Sequence, residues 1–117
     1  MKNKLYTVIG LMSGTSMDGV DASIIKSDGF NQFINVLDEY FEYNESLRQQ
    51  LIEIRNLISC INDLKLYSSR LKDLEREITV FHSKIINDIC LKYQDEIDFV
   101  GFHGQTIFHS PEHKISK

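Results

Sequence analysis

The stretch GLMSGTSMDGVDAS (residues 10–23) holds three of the six glycines of the chain beside hydroxyl and carboxylate side chains. It overlaps the apolar run Leu5–Leu11, and a short apolar run that ends at a turn-rich segment predicts a buried strand. It leads into Val20, Ala22 and Ile24, whose alternation with other side chains predicts a half-buried strand. The stretch therefore predicts two strands joined by a glycine-rich loop.

The residue types in this loop suit a phosphate group. Glycine has no Cβ, so backbone N–H groups can come close to a ligand. Ser13, Thr15 and Ser16 add hydroxyl donors, and Asp18 and Asp21 could hold Mg²⁺ through water. No Gly-Lys-Ser/Thr follows, so the segment is not a Walker A loop. The residues predict a phosphate-binding hairpin, with an ordinary turn as the alternative.

Helical spacing of apolar residues begins after Asn44, which can cap a helix that has Glu45 in its first turn. A second, longer helix is predicted to begin near Asn62 or Asp63. Its apolar stripe consists of Leu64, Tyr67, Leu71, Leu74, Ile78, Phe81 and Ile85. This stripe predicts a helix that covers a sheet, and its three-and-four spacing also fits a coiled-coil dimer.

Two further segments are predicted to be strands. Phe30–Val36 follows the turn signal Ser27-Asp28-Gly29 and would complete a three-stranded antiparallel meander. The apolar run from Ile97 to Phe102 predicts a last strand, which ends in the sequence HGQT (residues 103–106).

The length, net charge and composition of the chain limit the possible classes of function. A chain of 117 residues fits one domain, and a net charge of −4 does not suggest a general surface for nucleic acid. No apolar run approaches the roughly 20 residues of a membrane span. Cys60 and Cys90 lie far apart without a CxxC pair, which favours reduced, buried thiols in a cytoplasmic protein over a redox pair.

Two other motifs have weak support. His103, His109 and His113 invite a zinc site, but neither HExxH nor a paired-cysteine knuckle accompanies them. Residues 23–26 fit the SxxK pattern, yet they lie in a predicted strand and have no SDN or KTG companion. We therefore attribute the SxxK match to chance, and a zinc site at the histidines has no support beyond their spacing.

Two separated segments carry a resemblance to a known family. IGLMSGTSMDGVDASII (residues 9–25) and FVGFHGQTIFHSP (residues 99–111), with the helical DLEREITVFHSKIIND (residues 73–88) between them, resemble the anhydro-N-acetylmuramic acid kinases. These are sugar kinases of the actin/hexokinase-like ATPase superfamily. The resemblance implies an α/β fold in which residues 1–117 form an incomplete ribonuclease H-like lobe. We expect three antiparallel strands, two helices and a fourth strand parallel to the first, with the second lobe absent.

The resemblance also implies an activity and a set of site residues. Family members use ATP and Mg²⁺ to open the 1,6-anhydro ring of the amino sugar with water and to phosphorylate O6, which yields N-acetylmuramic acid 6-phosphate in cell-wall recycling. The implied ATP-binding residues are Gly14, Thr15, Ser16, Met17, Asp18, Gly19, Val20 and Asp21. Asp18 would be the carboxylate linked to Mg²⁺. His103 and Gln105 would contact the sugar.

The family's general-base aspartate, adenine-binding elements and second lobe lie in later motifs. We therefore expect no catalytic base among these residues and little turnover from the chain alone, because phosphoryl transfer needs both walls of the cleft. The last strand would then form an edge that a complementary C-terminal chain, or a second copy in a homodimer, could cover. The alternative function is a non-catalytic fragment that acts by docking on such a partner.

Overall fold

The computed structural model describes residues 4–14 and 16–108. In chain order its elements are β1 (Tyr6–Met12), β2 (Gly19–Ser27), β3 (Phe33–Glu42), α1 (Glu45–Leu57), α2 (Ile61–Leu66), α3 (Ser68–Lys92) and β4 (Phe99–Phe102). The strands form a sheet of order β3-β2-β1-β4, in which β1 is antiparallel to β2 and parallel to β4. The predicted α/β class, antiparallel meander and parallel fourth strand are confirmed.

The two faces of the sheet have different environments. Ile9 and Leu11 of β1 and Val20, Ala22 and Ile24 of β2 are at most 3% exposed. They share one face because alternate residues of a strand point the same way. The helices complete this core with Leu47, Leu51 and Ile54 of α1 and Leu74, Ile78, Ile85 and Ile89 of α3. Two helices therefore cover one face of the sheet, so the fold has two layers, one of strands and one of helices. We call the uncovered face of the sheet the open face.

The apolar stripe of the second predicted helix packs within the chain. Leu74, Ile78 and Ile85 are buried in the same cluster as the strand residues, whereas Leu64 and Leu71 are half-buried against it. This packing favours the sheet-covering interpretation over a coiled-coil dimer. No helix in the described ranges is both long enough and apolar enough to cross a membrane.

The prediction of two helices is wrong, because the described residues contain three. Asp63 Oδ2 accepts hydrogen bonds from Ser59 N at 2.9 Å and Cys60 N at 3.3 Å, which starts α2 at Ile61. At Tyr67 the backbone has ψ 21°, and this separates α2 from α3. Apolar spacing continues through a one-residue interruption, so the sequence pattern concealed the break.

The third strand lies further along the chain than predicted. Asp28 Oδ1 accepts from the backbone N of Phe30, Asn31 and Gln32 at 2.8, 3.0 and 3.0 Å, so these residues form a turn before β3. The strand then continues through residues 37–42, where it pairs with β2. Its polar residues are accommodated because most of the strand is exposed.

The prediction that the cysteines are buried is also wrong. Cys60 precedes α2 and Cys90 lies on α3, and both are free and exposed. Cys90 is adjacent to the buried Ile89, so it points away from the apolar stripe of its helix. His109 and His113 lie outside the described residues, so the zinc hypothesis is not tested at those positions.

Candidate functional site

The two motifs singled out in the sequence lie side by side. Because β1 and β4 are parallel neighbours, the loops that follow them meet at the carboxyl-terminal ends of the two strands. We call residues 13–18 the hairpin loop and residues 103–106 the HGQT loop. Gln105 Nε2 donates to the carbonyl oxygen of Gly14 at 2.8 Å, and His103 N donates to that of Leu11 at 3.1 Å. Direct hydrogen bonds therefore join segments about 90 residues apart.

The hairpin loop has buried residues that fix it to the core and exposed residues that a ligand can reach. Met17 is 1% exposed and has φ 59°, a left-handed conformation that is uncommon outside glycine. Its N donates to Gly14 O at 3.4 Å. Gly14 and Ser16 face solvent, whereas Ser13 is buried. The core thus fixes the loop through Met17, while Gly14 and Ser16 remain accessible to a ligand. Thr15 lies outside the described residues.

Gly19 has a different role from Gly14. A Cβ at Gly19 would lie 2.3 Å from Phe41 O, 2.8 Å from Tyr40 Oη and 2.9 Å from Glu42 Cα. A Cβ at Gly14 would meet nothing closer than Ser16 Oγ at 3.9 Å. Gly19 is therefore required for the close approach of β2 to β3, and Gly14 leaves open space in the loop.

Asp18 is held where the hairpin loop meets α1. Its carbonyl oxygen accepts from Tyr43 N at 2.9 Å, and its Oδ1 accepts from Arg48 Nε at 3.2 Å. The side chain is 49% exposed, so the carboxylate is accessible from solvent. Asp21, in contrast, lies within β2 opposite Met12 and Tyr40, on the open face. Val20 lies in β2 and is fully buried, backbone included, so it is not accessible to a nucleotide in this structure.

These residues fit a magnesium ion held by one carboxylate. In the described part of the chain no group of three or more His, Cys, Asp or Glu residues could hold a metal ion. Mg²⁺ commonly keeps several waters and takes its other ligands from one or two carboxylates and from phosphates. A half-exposed Asp18 beside the accessible Gly14 and Ser16 matches that requirement. Asp18 could hold the ion directly or through water.

A chain of hydrogen bonds runs behind the two loops. Tyr43 Oη lies 3.1 Å from Ser13 Oγ and donates to Gln105 Oε1 at 3.0 Å. Gln105 Nε2 donates to Gly14 O and, at 3.2 Å, to Thr106 O. Burial raises the pKa of the Tyr43 hydroxyl, so it stays protonated at neutral pH. The Gln105 amide therefore joins the two loops, and the sugar contact predicted for this residue stays a prediction.

His103 remains accessible at the edge of a cleft. It is exposed, its Nδ1 lies 3.1 Å from Gly104 O, and Gly104 adopts φ 81°. A cleft of about 330 Å³ separates the HGQT loop from α3. Its lining is mostly apolar, and Glu75, Thr79, His103 and Gln105 contribute polar side chains. Such a cleft can accept the ring of a small polar ligand.

Sequence reasoning did not assign Tyr43 or Arg48 to the site. Arg48 follows the cap Asn44 by one helical turn, so its position beside Asp18 requires the β3–α1 connection, which spacing alone does not reveal. Tyr43 is followed directly by the cap, and its hydroxyl acts across 62 residues to reach Gln105. No local pattern indicates this role, because it depends on a contact between residues distant in sequence.

The fold and site together define the class of the protein. A mixed sheet of order β3-β2-β1-β4, with a glycine-rich hairpin beside the loop of the parallel strand, is consistent with the opening part of an actin-like ATPase lobe. A family model described as anhydro-N-acetylmuramic acid kinase matches residues 6–117. The chain belongs to this family.

Relatives with this name cover nearly the whole chain. It is similar to the anhydro-N-acetylmuramic acid kinase of Pelagibacter ubique (strain HTCC1062), with 52% identity over 114 residues, which is 97% of the chain and 30% of the relative. It is 32% identical over 116 residues to that of Agrobacterium fabrum and 33% identical over 115 residues to that of Brucella canis. The chain spans about 30% of the length of these relatives.

Proposed function

We propose that this chain supplies the nucleotide loop and part of the sugar site of an ATP-dependent kinase that acts on 1,6-anhydro-N-acetylmuramic acid. The observation that carries the proposal is the hydrogen bond between Gln105 Nε2 and Gly14 O, at 2.8 Å. It supports a common site for two loops that the family resemblance assigns to nucleotide and sugar. The identity of the sugar in this proposal comes from the names of the relatives.

In this proposal the hairpin loop receives the phosphates. Gly14 and Ser16 are exposed and would offer a backbone N–H and a hydroxyl, with Thr15 beside them in the sequence. Asp18 would bind Mg²⁺ or a water of its shell, and Arg48 would hold that carboxylate in place. Bound ATP with Mg²⁺ supplies the transferable phosphoryl group and the charge neutralisation that phosphoryl transfer requires. The role of the chain is to position and to bind.

The sugar would lie next to the HGQT loop. His103 is exposed beside the cleft and offers Nε2 to a hydroxyl or to the lactyl carboxylate of the sugar. Gln105 lines the same cleft and would contact the sugar there, with its amide held in place by Tyr43 and Gly14. Glu75 and Thr79 of α3 line the far side of the same cleft.

We further propose that activity needs the part of the relatives that this chain does not span. The family's general base and adenine-binding elements belong to that part, so the chain alone would turn over little substrate. At β4 the side chains of Phe99, Val100 and Phe102 are about half exposed at the edge of the sheet. This edge supports docking of a complementary chain, and it also favours the alternative function of a non-catalytic interaction module.

The setting we propose is the cytoplasm, where ATP is available. Free, exposed thiols at Cys60 and Cys90 support a reducing compartment. The product of the proposed reaction, N-acetylmuramic acid 6-phosphate, would then enter the recycling of cell-wall sugars.

A phosphorylation assay tests this proposal. The chain is incubated with ATP, Mg²⁺ and 1,6-anhydro-N-acetylmuramic acid, alone and after addition of the portion of the Pelagibacter ubique relative that follows the matched region. We expect the 6-phosphate in the mixture and almost none with the chain alone, with Asp18→Asn as the inactive control. Association of the two parts without product would favour the interaction module. Folded parts that neither associate nor react would contradict both functions.

A further inference from the structure

Tyr43 lies where the hairpin loop and the HGQT loop meet, directly before α1. Its side chain is buried, and its ring packs edge-on against Phe81 of α3, with 5.0 Å between centroids. Its backbone N is bonded to Asp18 O. The ring is thus fixed by the core, which leaves the hydroxyl to act at the junction of the loops.

The direction of the hydrogen bonds at this junction follows from the Gln105 amide. Carbonyl oxygens of Gly14 and Thr106 only accept, so the Gln105 nitrogen must face them. Gln105 Oε1 therefore faces Tyr43, and the hydroxyl of Tyr43 must donate to it. A tyrosine hydroxyl has a single proton, so Ser13 must donate to the Tyr43 oxygen. The chain of donors runs from Ser13 through Tyr43 to Gln105 and back to Gly14.

We propose that Tyr43 is a positioning residue that couples the hairpin loop to the HGQT loop, so that a ligand bound at one loop orders the other. This inference rests on the proposed function for the identity of the two ligands, a nucleotide and an amino sugar. The coupling itself is a property of the chain without ligand. The inference extends the proposed function, because none of the site residues predicted from the sequence has this coupling role.

The physical basis is the cost of leaving buried polar groups without partners. Removal of the Tyr43 hydroxyl deprives both the Ser13 hydroxyl and Gln105 Oε1 of their partner, and Ser13 is only 2% exposed. Each group would then seek water or another partner, and each belongs to a different loop. Loss of one hydroxyl should therefore loosen both loops together.

The chain offers a matched control at Tyr93. Its hydroxyl is also buried, and within the described residues it has no hydrogen-bond partner. Tyr43→Phe and Tyr93→Phe each remove a buried hydroxyl oxygen from a tyrosine, but only the first breaks bonds between loops. Ser13→Ala is a second variant, which breaks the first bond and leaves that between Tyr43 and Gln105.

Amide hydrogen exchange of the full chain without ligand tests the coupling. In Tyr43→Phe we expect exchange about three- to tenfold faster in peptides covering residues 13–18 and 103–108, with the core of α3 unchanged. Tyr93→Phe should leave both loops unchanged. Ser13→Ala should accelerate the hairpin loop more than the HGQT loop. Unchanged loops in Tyr43→Phe, or acceleration spread equally over α1 and α3, would overturn the inference.

A second measurement adds ATP and Mg²⁺. In the parent chain nucleotide should protect the HGQT loop as well as the hairpin loop, and in Tyr43→Phe protection should be confined to the hairpin loop. Protection of both loops in Tyr43→Phe would overturn the coupling. If the parent chain alone binds no nucleotide, the claim that the hairpin loop binds nucleotide by itself fails, and the exchange of the ligand-free variants still decides whether Tyr43 couples the loops.

Discussion

Gly19 shows how one residue can determine the shape of the site. Its missing Cβ allows β2 to lie against the backbone of Phe41 and Glu42, immediately after Asp18. Asp18 is in turn bonded to Tyr43 N and Arg48. The position of the carboxylate proposed to bind Mg²⁺ thus depends on a glycine that has no chemistry of its own.

Substitution of Gly19 by alanine should destabilise the chain. The new Cβ would approach Phe41 O to 2.3 Å, which backbone atoms can relieve only by moving the strands apart. We expect a loss of about 1–3 kcal/mol in the free energy of unfolding, as in other overpacked sites. Gly10→Ala is the matched control, because nothing lies within 4 Å of a Cβ there. Urea unfolding measures both, and equal midpoints for the two variants would contradict the argument.

His82 should make stability depend on pH. Its Nδ1 lies 2.7 Å from Ile78 O, its ring packs against Phe102, and Nε2 is buried without a partner among the described residues. Burial lowers its pKa from 6.5, so the unfolded chain binds more protons below that pH. The stability that the neutral His82 ring contributes is therefore present above pH 6.5 and is lost as the pH falls through the folded-state pKa of this ring.

Unfolding between pH 7.5 and pH 5 measures this contribution, which can reach at most about 1.4 kcal/mol per pH unit. His82→Phe keeps an aromatic ring and should reduce the loss of stability at low pH. Ser83→Ala, at an exposed position of the same helix, should retain the dependence of the parent. The same pH dependence in His82→Phe and the parent would show that another group is responsible.

At the scale of elements, α1 connects the sheet to the site. Asn44 Oδ1 accepts from Leu47 N at 2.8 Å and so starts the helix, which places Arg48 one turn later beside Asp18. Leu47, Leu51 and Ile54 hold the helix on the core. The cap therefore determines where the guanidinium group lies relative to the hairpin loop.

Removal of the cap should cost stability. Asn44→Ala leaves the N-terminal amides of α1 without their side-chain acceptor, and we expect a loss of about 1 kcal/mol. Asn56→Ala, an exposed position near the other end of α1, is the control and should change stability by a few tenths of a kcal/mol at most. Thermal or urea unfolding compares them. A loss in Asn56→Ala as large as that in Asn44→Ala would contradict the capping argument.

Local patterns in the sequence were enough to predict most elements. Period-two alternation predicted β2, and helical spacing with Asn44 as cap predicted α1, because both depend on neighbouring residues. The turn at Asp28 and the break at Tyr67 depend on specific hydrogen bonds and backbone angles that apolar spacing does not record. The role of Gln105 depends on contacts across the fold, so the residue could be predicted as polar but not as a bridge.

At the scale of the whole molecule, the site depends on the pairing of segments from opposite ends of the chain. Thr7 N donates to Asp98 Oδ2 at 2.9 Å, and Asp98 N donates to Thr7 O at 2.8 Å, which fixes β4 beside β1. This register brings the HGQT loop to the hairpin loop. The open face meanwhile carries exposed side chains such as Met12 and Phe99.

The central claim is that the hairpin loop binds the phosphates of a nucleotide with Asp18 as the metal-linked carboxylate. Calorimetric titration of the folded chain with ATP and Mg²⁺ tests it most directly, with Asp88→Asn, an exposed aspartate of α3, as the control. We predict binding heat in the parent and in Asp88→Asn, and an affinity lowered about tenfold or more in Asp18→Asn, equivalent to about 1.4 kcal/mol. A folded parent chain that gives no binding heat, or an Asp18→Asn variant that binds as the parent does, would contradict the claim.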